Sequence, residues 1–227
     1  MKRTLLLVLF LPALAAAQEY ALLRTTRVGD SVSYRVRAEL DFVGSTKAVL
    51  TGLTTEKVIA VAEGKIKVES LSTEGKVEIE GGPQDIPAQP ATTTTYKPTG
   101  EILLIEGVRI KGDSYRISNM GAFRAPEKPV AIGASWTREV AADEKTGAVA
   151  AKATFTLEAL ETIGAIKAAR VKYSYLESIE RSPAAAEGFM WVSVDDGSLV
   201  KSELTVTNAP FPDAPIKINA KLTVQRV

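Results

Sequence analysis

From Val32 to Leu40 the chain reads Val-Ser-Tyr-Arg-Val-Arg-Ala-Glu-Leu, with every even position apolar or aromatic and every odd one polar. Lys65–Glu69, Lys76–Glu80, Arg170–Tyr175 and Ile216–Val224 repeat the pattern. A period of two sends successive side chains to opposite faces of a strand, whereas a helix needs a period near 3.6. One dry face and one wet face is what an antiparallel sheet allows. Turn-forming residues punctuate the runs at Ala62-Glu63-Gly64, Ser72-Thr73-Glu74-Gly75, Pro98-Thr99-Gly100 and Asp195-Asp196-Gly197-Ser198. The sequence therefore predicts a mostly β, antiparallel protein. Helix is expected only as a turn or two within Asp113–Phe123 and Ala184–Gly188, where Gly121 and Pro183 crowd it.

Part of the pattern is written twice. "RVGDSVSYRV" (Arg27–Val36) and "AIGASWTREV" (Ala131–Val140) share a Gly, a Ser two places on, an apolar residue and a hydroxyl residue. "LTTEKVIAVAEGKIKVESL" from Leu53 can be laid over "LEALETIGAIKAARVKYSYL" from Leu157, setting Glu56 on Glu161 and Val68 on Val171. "PTGEILLIEGV" and "DDGSLVKSELTV" each feed a strand from a Gly turn. Two similar meanders are expected, spanning about 19–110 and 125–227 within one β domain of residues 18–227. Two small tandem β domains, or a β-sandwich, would satisfy the same pattern. The joint is placed at 81–98, where four prolines and a Thr run favour extended, unpaired backbone.

The first 17 residues read as an export signal. Lys2 and Arg3 precede the apolar run Leu5–Leu11, Pro12 breaks it, and Ala15-Ala16-Ala17 offers small residues for cleavage before Gln18. The run is about half the ~20 residues that span a bilayer. No Cys follows it, so the bacterial lipoprotein route is closed. A periplasmic or secreted protein, soluble after cleavage, is expected. Losing Lys2 and Arg3 turns the net charge from +1 to −1. That balance offers no basic stripe for nucleic acid.

Composition then narrows the chemistry. The chain has no His and no Cys, so a Ser-His-Asp triad, a thiolate nucleophile and an ordinary zinc or copper site are out of reach. Neither Gly-rich phosphate-loop pattern occurs. Glu69, Glu78 and Glu80 alternate with apolar residues, as on a wet face, and Asp195-Asp196 fits a turn. No enzymatic activity, cofactor or metal is expected. Trp136 lies among strand residues and reads as core.

Two strands break the alternation. Ile102-Leu103-Leu104-Ile105 and Phe189-Met190-Trp191-Val192 are apolar on both sides, and a strand apolar on both sides is covered on both. Both are expected to cross the middle of the sheet. In the second, Phe189 and Trp191 face one way and Met190 and Val192 the other. The cover is either core or an apolar cavity. For the cavity, the candidate lining residues are Leu103, Ile105, Tyr173, Tyr175, Phe189 and Trp191.

"APEKPVAIGASWTREV", "IKAARVKYSYLESI" and "GFMWVSVDDGSLVKSEL" together resemble secreted bacterial β proteins of unknown function. The last phrase, a Trp-bearing strand, an acidic Gly turn and a Lys-bearing strand, also resembles the sheet of the periplasmic lipoprotein carriers LolA and LolB. The resemblance covers the C-terminal half from Ala125. It implies a curled antiparallel half-barrel whose concave face holds acyl chains under short helices, and hence a lipid or lipoprotein acyl chain as partner. The chain departs from the carriers in having only three Met, no evident lid helices and no Arg that matches a carrier's functional one. Two readings follow: a non-enzymatic carrier or binding module for an apolar or acylated ligand, or a structural module that docks another envelope protein and has no cavity.

Overall fold

The computed structural model describes residues 18–227 apart from 43–45, 109, 111 and 212–213, so the predicted export signal lies outside the described residues. In chain order the elements are β1 (Glu19–Tyr20), β2 (Ser31–Phe42), β3 (Lys47–Ala62), β4 (Lys65–Ile79), β5 (Gly82–Asp85), β6 (Thr92–Tyr96) and β7 (Ile102–Glu106). Then come α1 (Gly112–Gly121), β8 (Val130–Ala131), β9 (Ser135–Val140), β10 (Ala151–Ile163) and β11 (Ile166–Glu177). The last three are β12 (Ala185–Ser193), β13 (Leu199–Phe211) and β14 (Ala214–Arg226). As the alternation predicts, the protein is mostly β.

One antiparallel sheet runs β7-β6-β4-β3-β2-β14-β13-β12-β11-β10-β9, with β5 pairing to β4, and β1 and β8 form a separate small pair. Each meander is thus a run of neighbouring strands. They join where β2 meets β14, from Tyr34↔Arg226 to Phe42↔Ile218.

The twin entry phrases become twin constructions. The Gly29 N–H donates to the Val58 carbonyl (2.9 Å) and the Val58 N–H to the Asp30 carbonyl (2.8 Å). Gly133, Leu157 and Ala134 make the same exchange at 2.7 and 3.0 Å. Both glycines have left-handed backbone, φ 97° and 90°, which a residue without Cβ adopts at little cost. A bulge follows each exchange, between Val58 and Ala60 on β3 and between Leu157 and Ala159 on β10. Val68 and Val171 sit opposite these bulges, as the sequence overlay has them. Leu157 corresponds to Val58, however, not to Leu53, because β10 continues to Ile163 before turning whereas β3 ends at Ala62.

Four expectations need correction. Ser72–Gly75 is no turn; it lies inside β4, where the register slips between Thr51↔Lys76 and Leu53↔Thr73 and Glu74 takes up the extra residue at φ 53°. Ala184–Gly188 leads into strand β12 rather than helix, its backbone captured by β11 and β13. The segment 81–98 is not unpaired throughout, since β5 and β6 both pair with β4; Pro87 and Pro90 fall between these strands, Pro83 lies within β5 and Pro98 follows β6. Last, β7 is not in the middle of the sheet but at its edge, with Leu104 45% exposed. β12 is interior.

The sheet curls, and α1 shows by how much. The Ile105 N–H of edge strand β7 donates to the Tyr115 hydroxyl (2.9 Å), while the next residue, Arg116, grips Glu177 at the end of β11. In a flat sheet these strands would stand about 38 Å apart, eight spacings of ~4.8 Å. Adjacent helix residues cannot bridge that distance, because ten residues of helix are only ~15 Å long. The two limbs must therefore bend toward each other. The sheet remains open, with β7 and β9 as its ends. The main core fills the concave side of the second limb, where Phe155, Leu157, Val171, Tyr173 and Met190 pack beneath Leu22 and Met120.

Candidate functional site

On the concave face of the first limb the core gives way to a hollow of about 300 Å³. Its floor follows from strand alternation: Tyr34 and Val36 of β2, Thr54 and Glu56 of β3, Val68 and Ser70 of β4, and Thr94 and Tyr96 of β6 all face the same way. Its walls come from Leu22, Arg24, the 98–100 turn and Phe123. Close backbone approaches hold those walls. A Cβ on Gly100 would strike the Phe123 carbonyl and one on Gly197 the Leu23 carbonyl, and both glycines have positive φ.

A second hollow of about 210 Å³ lies further along the same face, lined by Ala38, Leu40, Leu204, Val206, Ala220 and Leu222 and roofed by Ile117, Met120 and Gly121 of α1. The two are successive stretches of one surface. Val36 pairs with Val224 in the first, and Ala38 with Leu222 and Leu40 with Ala220 in the second. From Tyr34 to Leu40 the strand advances about 20 Å.

Polarity changes along that line. Beyond Val36 the lining is apolar. At the other end stand Arg24, Glu56, Tyr96 and Tyr34. Arg24 donates to the Tyr96 hydroxyl, lies with its guanidinium 5.2 Å from that ring's centre, and approaches Glu56 at 3.6 Å. Burial pushes the Glu56 carboxyl up from its ordinary value, with the Arg24 charge opposing. Burial likewise raises both tyrosines, which keeps them protonated donors. Tyr34 donates to the Leu199 carbonyl (3.1 Å). A polar cleft that includes Asp196, Ser198 and Arg226 shares Arg24 and Glu56 with the hollow.

None of the six residues predicted to line a cavity lines either hollow. Tyr173 and Tyr175 face the concave side, buried in the main core, and Tyr173 donates to the Met120 carbonyl (2.6 Å). Ile105 is buried under Tyr115 and Leu103 is half-buried on the edge strand. Phe189 and Trp191 lie on the opposite face of β12 from Met190, in a small outer cluster with Ala168 and Val200. There the Arg170 guanidinium covers Phe189 at 4.2 Å and the Lys201 ammonium covers Trp191 at 4.7 Å, while the Trp191 indole donates to Glu161 (2.8 Å). The strand is covered on both faces by protein, the outer cover being long cationic side chains laid over aromatic rings. Trp136 is core, stacked on Phe155 with centroids 5.5 Å apart.

Sequence reasoning missed Arg24 and Glu56. Arg24 lies in a segment with no alternation. Glu56 left a trace: it occupies an even, inward position between Thr54 and Val58, where a dry face should hold no charge. The Asp195-Asp196 turn is as expected, with the Asp196 carboxylate accepting from the Ser198 N–H (2.9 Å) and hydroxyl (2.6 Å).

Fold and hollow together define an open, curled antiparallel sheet with an amphipathic pocket on its concave face. Among the described residues no helix is long and apolar enough to cross a membrane, and no group of carboxylates is placed to hold a metal ion. No protein-family model matches the sequence, and no curated protein matches it. Among solved structures it is similar to a protein with a YmcC-like fold from Bacteroides fragilis, at 11% identity and TM-score 0.38, covering 91% of this chain and 99% of that one. It is also similar to the hypothetical lipoprotein YmcC from Escherichia coli, at 12% identity and TM-score 0.36, covering 89% and 90%. Neither likeness is to LolA or LolB.

Proposed function

We propose that this is an exported, non-enzymatic envelope protein that binds or carries an apolar or acylated ligand in the hollow under α1. The observation that carries the reading is the pair of neighbouring hollows over the same strands β2 and β14, one with a polar end at Arg24 and Glu56 and the other apolar beneath Met120. A folded core is packed to crystal-like density. Two adjoining hollows on one inward sheet face are the exception, and pockets of this size with few polar groups are the usual form of a small-molecule site. With no His or Cys in the chain, the hollow is read as a place to hold a ligand rather than transform it.

The test is uptake of N-phenyl-1-naphthylamine, followed by its fluorescence, by the native protein and by an Ala38→Trp variant that fills the apolar hollow. The native protein is expected to bind the probe with micromolar affinity and the variant to lose it while keeping its β-type circular dichroism. Absence of uptake by the native protein, or uptake unchanged in the variant, would overturn the reading. The docking-module alternative would then stand, with the edge strand β7 and its exposed Leu104 as the first surface to probe.

A further inference from the structure

Among the described residues, the two Arg–carboxylate contacts least exposed at the arginine's carboxylate partner, Arg116–Glu177 and Arg24–Glu56, are built differently. Arg116 meets Glu177 through two parallel bonds, Nε and Nη2 each at 2.8 Å from one carboxylate oxygen. That fork-to-fork geometry is how a planar guanidinium binds a carboxylate it is meant to keep. Arg24 is not engaged in this way. Among the described residues its guanidinium donates to the Tyr96 hydroxyl and reaches Glu56 only at 3.6 Å, beyond hydrogen-bond distance. Its side chain is 19% exposed, and it lines both the hollow and the polar cleft. Backbone bonds from Arg24 to Pro98 and from Thr25 to Asp196 fix its position, and the Tyr96 ring centre lies 5.2 Å from the guanidinium carbon. The result is a held cation with donors left over, at the polar end of a hollow whose floor strand β2 continues past Val36 into the apolar lining of a second hollow at Ala38 and Leu40.

We infer that the hollow selects a single-chain amphiphile with an anionic oxygen head, a carboxylate or phosphate monoester, bound head-first on Arg24 with its chain running along β2 and β14 under α1. This rests on the ligand-binding reading above. The head takes the guanidinium edge that Glu56 leaves free, with the Tyr96 hydroxyl beside it, while the Tyr34 hydroxyl stays committed to the Leu199 carbonyl. The chain passes Val36 and Val224 and ends among Ala38, Leu40 and Leu222. Glu56 tempers the site: its carboxylate competes for Arg24 and repels a second anion.

The experiment is displacement of N-phenyl-1-naphthylamine by four amphiphiles of equal chain length: tetradecanoate, the lysophosphatidate with a tetradecanoyl chain, tetradecanol and tetradecyltrimethylammonium. The native protein is expected to prefer the anions over the alcohol by about tenfold, the scale of a hydrogen bond to a charged group. The order of the two anions identifies the head as carboxylate or phosphate. Arg24→Gln should abolish the preference while the alcohol still displaces the probe. Glu56→Gln, which leaves Arg24 without its competitor, should raise the preference several-fold. A purely structural Arg24–Glu56 contact predicts that both variants weaken all four ligands together, and that outcome overturns the inference, as does equal binding of anion and alcohol by the native protein. If Arg24→Gln fails to fold, the direction of the Glu56→Gln change decides alone. Probe uptake without head preference sinks this inference and leaves the binding function standing; no uptake sinks both.

Discussion

Met190 and Phe189 are neighbours in sequence with opposite surroundings. Met190 is fully buried among Val171, Tyr173 and the concave core, whereas Phe189 lies on the outer face under Arg170. Met190→Ala should cost about 2–5 kcal/mol, because its neighbours cannot close the cavity left behind. Phe189→Ala should cost about 1 kcal/mol, the scale of a cation–π contact at a partly exposed site. Urea unfolding of the two variants checks the difference; equal costs would place Phe189 in a packed core instead. At this scale the sequence was half legible. Alternation separates the faces of β12 correctly but cannot say which one is concave, so it points Phe189 and Trp191 at a cavity where cationic side chains in fact cover them. The inward tyrosines were legible as inward but not as filled core, because what packs on them, Met120, Leu22 and Phe123, comes from remote segments. Tyr34 read as one more apolar position, and nothing local marks that Leu199, 165 residues away, accepts from its hydroxyl.

Among elements, α1 is the part whose removal should matter most to the hollow, since Ile117, Met120 and Gly121 roof the apolar end. Arg116 fastens it to Glu177, whose side chain is fully buried and also accepts from the Ala184 N–H (3.0 Å). Arg116→Ala strands that carboxylate, which typically costs about 3–5 kcal/mol. Amide exchange across Gly112–Gly121 should accelerate in the variant more than exchange in β11. Adding Glu177→Gln should restore most of the loss, because Gln still accepts from Ala184 and carries no charge. If the double variant is as unstable as the single one, the helix is held by packing and not by this pair. The helix itself was legible from Asp113 onward; its role was not, because a helix of this length takes its stability from what it lies on.

For the whole molecule, the union of β2 with β14 is decisive. Nine successive residues of β14, Ile218–Arg226, pair with β2, and α1 ties β7 to β11 across the open side. The two meanders therefore share backbone pairing and a helix, and they should unfold together. Heating should give a single transition, identical by circular dichroism and by Trp fluorescence, whose two reporters Trp136 and Trp191 both lie in the second meander. Because the circular dichroism signal reports all strands, two resolved steps would reveal tandem units that melt separately. Reductant should leave the curve unchanged, as the chain has no Cys. The sequence showed the pair of meanders but not how they meet, since an edge-to-edge union and tandem packing use the same alternating strands.

The place of β14 also sets an order of events. Until it emerges, β2 has β3 on one side and a bare row of amides and carbonyls on the other, and the sheet has no centre. Strand pairing over so long a separation is slow to form. A chain that cannot complete the middle of its sheet until β14 is available must carry the edge of β2 unpaired through the making of every strand between them.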